Sequence, residues 1–189
     1  DTYSTNGNLS LYAIWQDVTY TVSYDVNGGS GLLPTGGNFT YCDVNVGSGA
    51  GLTFAGYTFS HWSTTSGDTG TSYDAGDPLC ETQNTTLYAI WSANSYDITY
   101  YGNGGTGSTT AGTWTTGDPA YTIEFNGFSR DGYTFVGWST TSTDVSGDPS
   151  YDEGDSYSTS ANLNLYAIWD ANDYTITYYG NSSDGGTVP

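Results

Sequence analysis

Leu87-Tyr-Ala-Ile-Trp91 is repeated letter for letter at residues 11–15 and 165–169, and this recurrence governs how the chain is read. Each copy leads through a short polar stretch into an alternating segment: Tyr20-Thr-Val-Ser-Tyr24, Tyr96-Asp-Ile-Thr-Tyr100 and Tyr174-Thr-Ile-Thr-Tyr178. The first two of these run into Asn27-Gly28-Gly29 and Asn103-Gly104-Gly105. Further on, Gly56-Tyr-Thr-Phe-Ser-His-Trp-Ser-Thr-Thr65 is matched by Gly132-Tyr-Thr-Phe-Val-Gly-Trp-Ser-Thr-Thr141. A Tyr-Asp-x-Gly-Asp element follows at residues 73–77 and 151–155. Motifs that recur in one order at a fixed period mark a repeat architecture. Residues 16–91 and 92–169 read as complete repeats, 1–15 as the C-terminal part of a preceding repeat and 170–189 as the N-terminal part of a following one. This phase is expected of a window on a longer array, or of a protomer whose open ends are completed by neighbours. In the second case residues 1–15 of one molecule pair with 170–189 of another through unpaired strand edges.

Within a repeat the patterning is that of strands. Tyr20, Val22 and Tyr24 share one face by the two-residue period, as do Tyr96, Ile98 and Tyr100. Leu-Tyr-Ala-Ile-Trp is apolar on both faces, which predicts a central strand covered on each side. Asn-Gly-Gly is a turn signal, because glycine takes positive φ without steric cost. Helical periodicity is absent; the nearest candidates, 42–50 and 117–127, are rich in Gly or in β-formers. The predicted fold is mainly β, with at most one short helix per unit. A unit of this size buries limited surface, and its aromatics, each bringing on the order of 150–250 Å², make up much of the core.

The composition narrows function. Across 189 residues, 20 carboxylates face one cationic side chain, Arg130, for a formal charge of −19. Nucleic acids and anionic membranes are bound by clustered Lys and Arg, so those partners are excluded, and phosphate chemistry is disfavoured on the same ground. No apolar run approaches the roughly 20 residues of a membrane span, which predicts no membrane insertion in this segment. An aromatic content of 16% argues against disorder. With no lysine, no Lys-based cross-link forms inside the segment, and assembly is expected to be non-covalent or through disulfides.

Gly-Tyr-Thr-Phe-x-Gly-Trp-Ser-Thr-Thr, Tyr-x-x-Gly-Asp, Leu-Tyr-Ala-Ile-Trp and the opening Tyr-x-Ile-Thr-Tyr-x-x-Asn-Gly-Gly resemble the Listeria–Bacteroides repeat, the family that includes the B repeat of internalin B. The resemblance covers nearly the whole chain. It implies a compact β-grasp-like domain strung in tandem on secreted or surface proteins, mostly stalks, spacers and adhesive modules, with no catalytic residues to carry over. The sequence departs from that pattern at His61, where the second unit has Gly137, and in an acidic loop two residues longer in the second unit.

Candidate sites are few. Cys42 and Cys80, the only cysteines, both lie in the first complete unit and favour a disulfide in an exported chain; Ser158 takes the place of Cys80 in the second. N-glycosylation sequons stand at Asn8, Asn38, Asn84 and Asn181. Asn8 and Asn84 share one position in the repeat, and its third equivalent, Asn162-Leu-Asn, lacks the acceptor pattern. The acidic loops 68–77 and 144–155 lack the spacing of an EF-hand and read as solvated turns rather than calcium ligands. A hydrolase triad would need His61 as its base, and no carboxylate pair stands out as catalytic. The repeated tryptophans 62 and 138, and 15, 91 and 169, read as core. Trp114, with no evident counterpart, is the candidate for an exposed ring that stacks on sugar.

The expectation is therefore a non-catalytic extracellular or cell-surface structural protein, without catalytic, cofactor or metal residues. It forms part of a stalk or self-assembling filament whose partners are neighbouring copies of itself. Short linkers near 16–19, 92–95 and 170–173 predict a semi-rigid array of nearly independent units. A carbohydrate- or host-surface-binding adhesin module, with glycans as partners, is the alternative.

Overall fold

The computed structural model describes residues 6–143 and 149–179. The chain divides into two compact units between Ser92 and Ala93. The first unit is built from β1 (Tyr20–Asp25), β2 (Ser30–Gly31), β3 (Gly37–Phe39), β4 (Leu52–Thr53), β5 (Tyr57–Ser63), β6 (Ser72–Tyr73) and β7 (Thr85–Ala93). The second follows with β8 (Ser95–Tyr101), β9 (Thr106–Gly107), β10 (Gly112–Thr115), β11 (Tyr121–Thr122), β12 (Phe128–Ser129), β13 (Tyr133–Ser139), β14 (Ser156–Tyr157) and β15 (Leu163–Ala171). There is no helix among the described residues.

The two units follow one plan. The main sheet runs β3-β1-β7-β5-β6 in the first and β10-β8-β15-β13 in the second. Leu-Tyr-Ala-Ile-Trp forms an inner strand of each sheet, parallel to the strand that opens its unit. Val22 pairs with Thr85 and Tyr24 with Leu87; in the same register Ile98 pairs with Leu163 and Tyr100 with Leu165. Parallel neighbours need a long crossover connection, and here it consists of the remaining strands of the unit. The other flank of β15 is antiparallel to β13, with a bulge between Phe135 and Gly137.

Side-chain alternation follows from this pairing. Leu87, Ala89, Leu165 and Ala167 are fully buried on the inner face, against Trp62 in one unit and Trp138 in the other. The outer face is covered less than its composition predicts: Tyr88 and Ile90 are only half-buried, whereas Ile168 is fully buried. In place of a covering helix, extended chain lies over each inner face. Residues 42–46 hydrogen-bond with 76–79, through Cys42 N to Leu79 O, Val46 N to Asp77 O and Leu79 N to Val44 O. The equivalent stretch of the second unit pairs β11 with β14 and bonds Ile123 N to Asp155 O. Val46, Leu79 and Ile123 carry that layer into the core.

The Asn-Gly-Gly turns are held alike. Asn27 and Asn103 take the left-handed conformation at φ 46° and 45°, and their side-chain amides donate to Ala89 O and Ala167 O. The second glycine of each turn admits a tryptophan ring. A Cβ on Gly29 or Gly105 would collide with Trp91 or Trp169, whose indole N–H groups donate to Val26 O and Gly102 O. Outside the complete units, the described part of 6–19 forms no strand, and Leu11, Tyr12, Ile14 and Trp15 are 83–96% exposed. Tyr174, Ile176 and Tyr179 are likewise at least 75% exposed.

Candidate functional site

A polar concavity of about 310 Å³ opens in the first unit beside β5 and β6 and is lined by His61, Asp68, Ser72, Tyr73, Asp74 and Asp77. It brings His61 beside carboxylates of the first acidic loop, which the sequence predicts to be a solvated turn. His61 Nε2 lies 2.9 Å from Asp68 Oδ1, and His61 Nδ1 lies 3.0 Å from Ser60 Oγ. A serine, a histidine and a carboxylate thus form one hydrogen-bonded chain, yet the serine is an exposed neighbour in sequence on the same strand. The arrangement has a local structural purpose. Asp68 sits at φ 56° in the loop joining β5 to β6, and the imidazole ties that loop to its strand. The second unit solves the same problem without a histidine. A Cβ on Gly137 would come within 2.4 Å of the Pro149 ring, so proline fills the space above Gly137 in the longer loop.

The carboxylates of the Tyr-Asp-x-Gly-Asp elements are also committed to folding. Asp77 accepts from Asp74 N and Asp155 from Asp152 N, each at 2.8 Å, around glycines at φ 95° and 87°. Each acid pair is a self-closing turn. Among the described residues no three His, Cys, Asp or Glu side chains are grouped to hold a metal ion. Residues 144–148 of the second acidic loop lie outside the described residues.

Buried phenols carry the perturbed ionisations. Burial pushes Tyr73 up to about 12, helped by its 2.8 Å hydrogen bond to the Glu81 carboxylate. Burial also raises Tyr100, Tyr121 and Tyr157. Tyrosine hydroxyls also join layers: those of Tyr24 and Tyr100 accept from Gly47 N and Glu124 N, fixing the covering chain to the opening strand of each unit.

Trp114 corrects the sequence reading. Its ring is 7% exposed, packed on Tyr96 and Tyr157, with its indole N–H donating to Pro119 O. Its counterpart exists. Trp114 pairs with Tyr96 as Phe39 pairs with Tyr20, and Phe39 is 1% exposed. The turns between opening strand and edge strand differ by one residue, so a constant offset sets Trp114 against the exposed Asn38 instead. Phe54, half-buried, lines a concavity of about 410 Å³ with Gly28, Gly29, Ser30, Thr53 and Ala55, and stacks on Tyr57. In the second unit Arg130 takes that place, with its guanidinium 3.8 Å above the Tyr133 ring.

Cys42 and Cys80 form a disulfide, with their Cα atoms 4.3 Å apart. Cys42 has φ 60° as the third residue of a turn, and the third residue of the same turn in the second unit is Gly117 at φ 93°. Of the sequons, Asn8 and Asn38 are exposed, Asn38 on an edge strand opposite Thr21. Asn84 is exposed too, but its Oδ1 accepts from Thr21 N, as Asn162 Oδ1 accepts from Asp97 N. Asparagine recurs there because it ties the opening strand to the entry of the closing one. Asn181 lies outside the described residues.

Comparison with known proteins agrees with this repeated plan. The family model of the Listeria–Bacteroides repeat domain matches residues 20–90 and 96–168. A protein of Evansella cellulosilytica named as a Gly-rich membrane protein is 34% identical over 149 residues, covering 73% of this chain and 17% of the relative. A second, named as a membrane protein of the same organism, is 29% identical over 196 residues, covering 96% of this chain and 26% of the relative. The chain thus spans about a quarter or less of the curated relatives it matches. No helix among the described residues is long and apolar enough to cross a membrane. The chain belongs to the Listeria–Bacteroides repeat domain family, with two matches to the repeat in tandem.

Proposed function

We propose that this chain is a non-catalytic, extracellular structural segment, part of a surface stalk or self-assembling filament. The observation that carries the reading is the use made of the repeated polar residues. Asn27 and Asn103, Asn84 and Asn162, and both Tyr-Asp-x-Gly-Asp elements spend their hydrogen bonds on turns and strand junctions of their own unit. What the repeat preserves is therefore a fold, and a module whose repeated residues serve only its fold suits a spacer.

Neighbouring copies are joined, in this reading, by strand complementation. The parallel pair of the complete units supplies the register: Ile176 would stand opposite Leu9 and Tyr178 opposite Leu11, all of them at least half exposed. Electron microscopy and sedimentation of the full chain test the idea. Ordered chains of particles that lengthen with concentration are expected. Monomers at every concentration would end self-assembly and leave the spacer, while saturable binding on a glycan array would favour the adhesin reading instead.

A further inference from the structure

We propose that Tyr101 and Tyr166 are an oxidative cross-linking site, able to form a dityrosine bridge within the second unit. The two residues are paired partners on β8 and β15, the strands that open and close the unit. Their rings stack with centroids 4.8 Å apart and planes 15° from parallel, on the outer face of the sheet. Among the described residues it is the one parallel stack of two tyrosines. Tyr101 is 42% exposed, so an oxidant can reach it, in contrast to the buried phenols of Tyr100 and Tyr157. Proximity of this kind makes coupling between the two rings effectively unimolecular, which favours it over coupling between molecules.

The site also stands where the unit has no other covalent tie. The first unit is closed by Cys42–Cys80, whereas the second contains no cysteine. In the first unit the pair equivalent to Tyr101 and Tyr166 is Asp25 and Tyr88, which cannot couple. Each unit thus has one candidate covalent tie of its own: a disulfide in the first, a phenol pair in the second.

The chemistry balances with a peroxide as oxidant and a haem peroxidase to deliver it in single-electron steps. Each phenol gives up one electron and one proton to become a phenoxyl radical. The radicals join through a ring carbon ortho to each oxygen, forming one carbon–carbon bond. The hydrogens on those two carbons then move to the oxygens and restore both phenols. In total the tyrosines lose two hydrogen atoms, and one hydrogen peroxide becomes two waters.

The test treats dilute full-length chain with hydrogen peroxide and a haem peroxidase. Intact mass, dityrosine fluorescence and peptide mapping are then followed. The expected product is a monomer lighter by two hydrogens, with the peptides of residues 101 and 166 linked. Tyr101→Phe keeps the ring stack and should lose both the mass change and the linked peptide, and Tyr166→Phe should do the same independently. Coupling that maps to other tyrosines, that yields only dimers, or that survives both substitutions overturns the proposal. Because the site lies within one unit, its failure leaves the structural-array reading untouched, and failure of self-assembly leaves this site untouched.

Discussion

Removing the disulfide of the first unit is the sharpest test of how the two units differ. The bridge joins residues 38 apart, and in the chain-entropy model a loop of that length contributes about 4 kcal/mol. A unit of roughly 75 residues has a total stability of only about 4–11 kcal/mol, so this is a large share. At about 4–8 °C per kcal/mol for so small a domain, Cys42→Ala with Cys80→Ala should lower the melting of the first unit by roughly 15–30 °C. A second term is separable. Cys42 holds φ 60°, where a side chain costs about 1–2 kcal/mol relative to glycine, and the equivalent Gly117 holds φ 93°. Cys42→Gly with Cys80→Ser should therefore retain about 1 kcal/mol more stability than Cys42→Ala with Cys80→Ser. Scanning calorimetry with and without reductant is the assay, since the units should give separate transitions. Only the first unit's transition should move. A drop below about 1 kcal/mol, or an equal shift of both transitions, would refute the loop argument.

Three further outcomes are expected. Trp62 donates to Gly47 O, whereas the buried Trp138 indole N–H has no partner among the described residues, so Trp62→Phe should destabilise its unit by about 1 kcal/mol more than Trp138→Phe does in denaturant unfolding. The Tyr73 phenol is raised on folding, so the stability it supports is complete below pH 10 and is lost as pH rises through about 12; Tyr73→Phe should flatten the fall in stability across that window, and an unchanged pH profile would count against the assignment. Ile176→Asp should weaken self-association by tenfold or more in sedimentation, corresponding to about 1.4 kcal/mol, while leaving both melting transitions in place, and undiminished association would exclude the proposed register.

Much of the fold was legible because the repeat prints its pattern twice. The inner position of Leu-Tyr-Ala-Ile-Trp, the inward faces of Tyr24 and Tyr100 and the Asn-Gly-Gly turns all follow from local chemistry that recurs. Trp114 was not legible, for a definite reason. One residue of difference in a surface turn puts two units out of step, and in a strand a shift of one residue exchanges inside for outside. The backbone pairing of Phe39 with Tyr20 and of Trp114 with Tyr96 restores the correspondence, and letters alone do not contain it. His61 and Gly137 illustrate the same limit. Their difference resembles the loss of a functional group until Pro149, distant in sequence, is found occupying the imidazole's room. The sequon at Asn84 was visible as a motif, but its bond to Thr21 N depends on the parallel pairing of strands some sixty residues apart.

That parallel pairing has a mechanical consequence. The strand that opens each unit and the strand that closes it lie side by side and point the same way. Tension applied at the two ends of a unit pulls on the start of one strand and the finish of the other, sliding them past each other in shear. Their cross-strand hydrogen bonds then share the load and must fail together, instead of opening singly from one end. The four registered pairs of β1 with β7, and of β8 with β15, act as a clasp across the line of pull, and a tether made of such units would resist force where its chain enters and leaves each module.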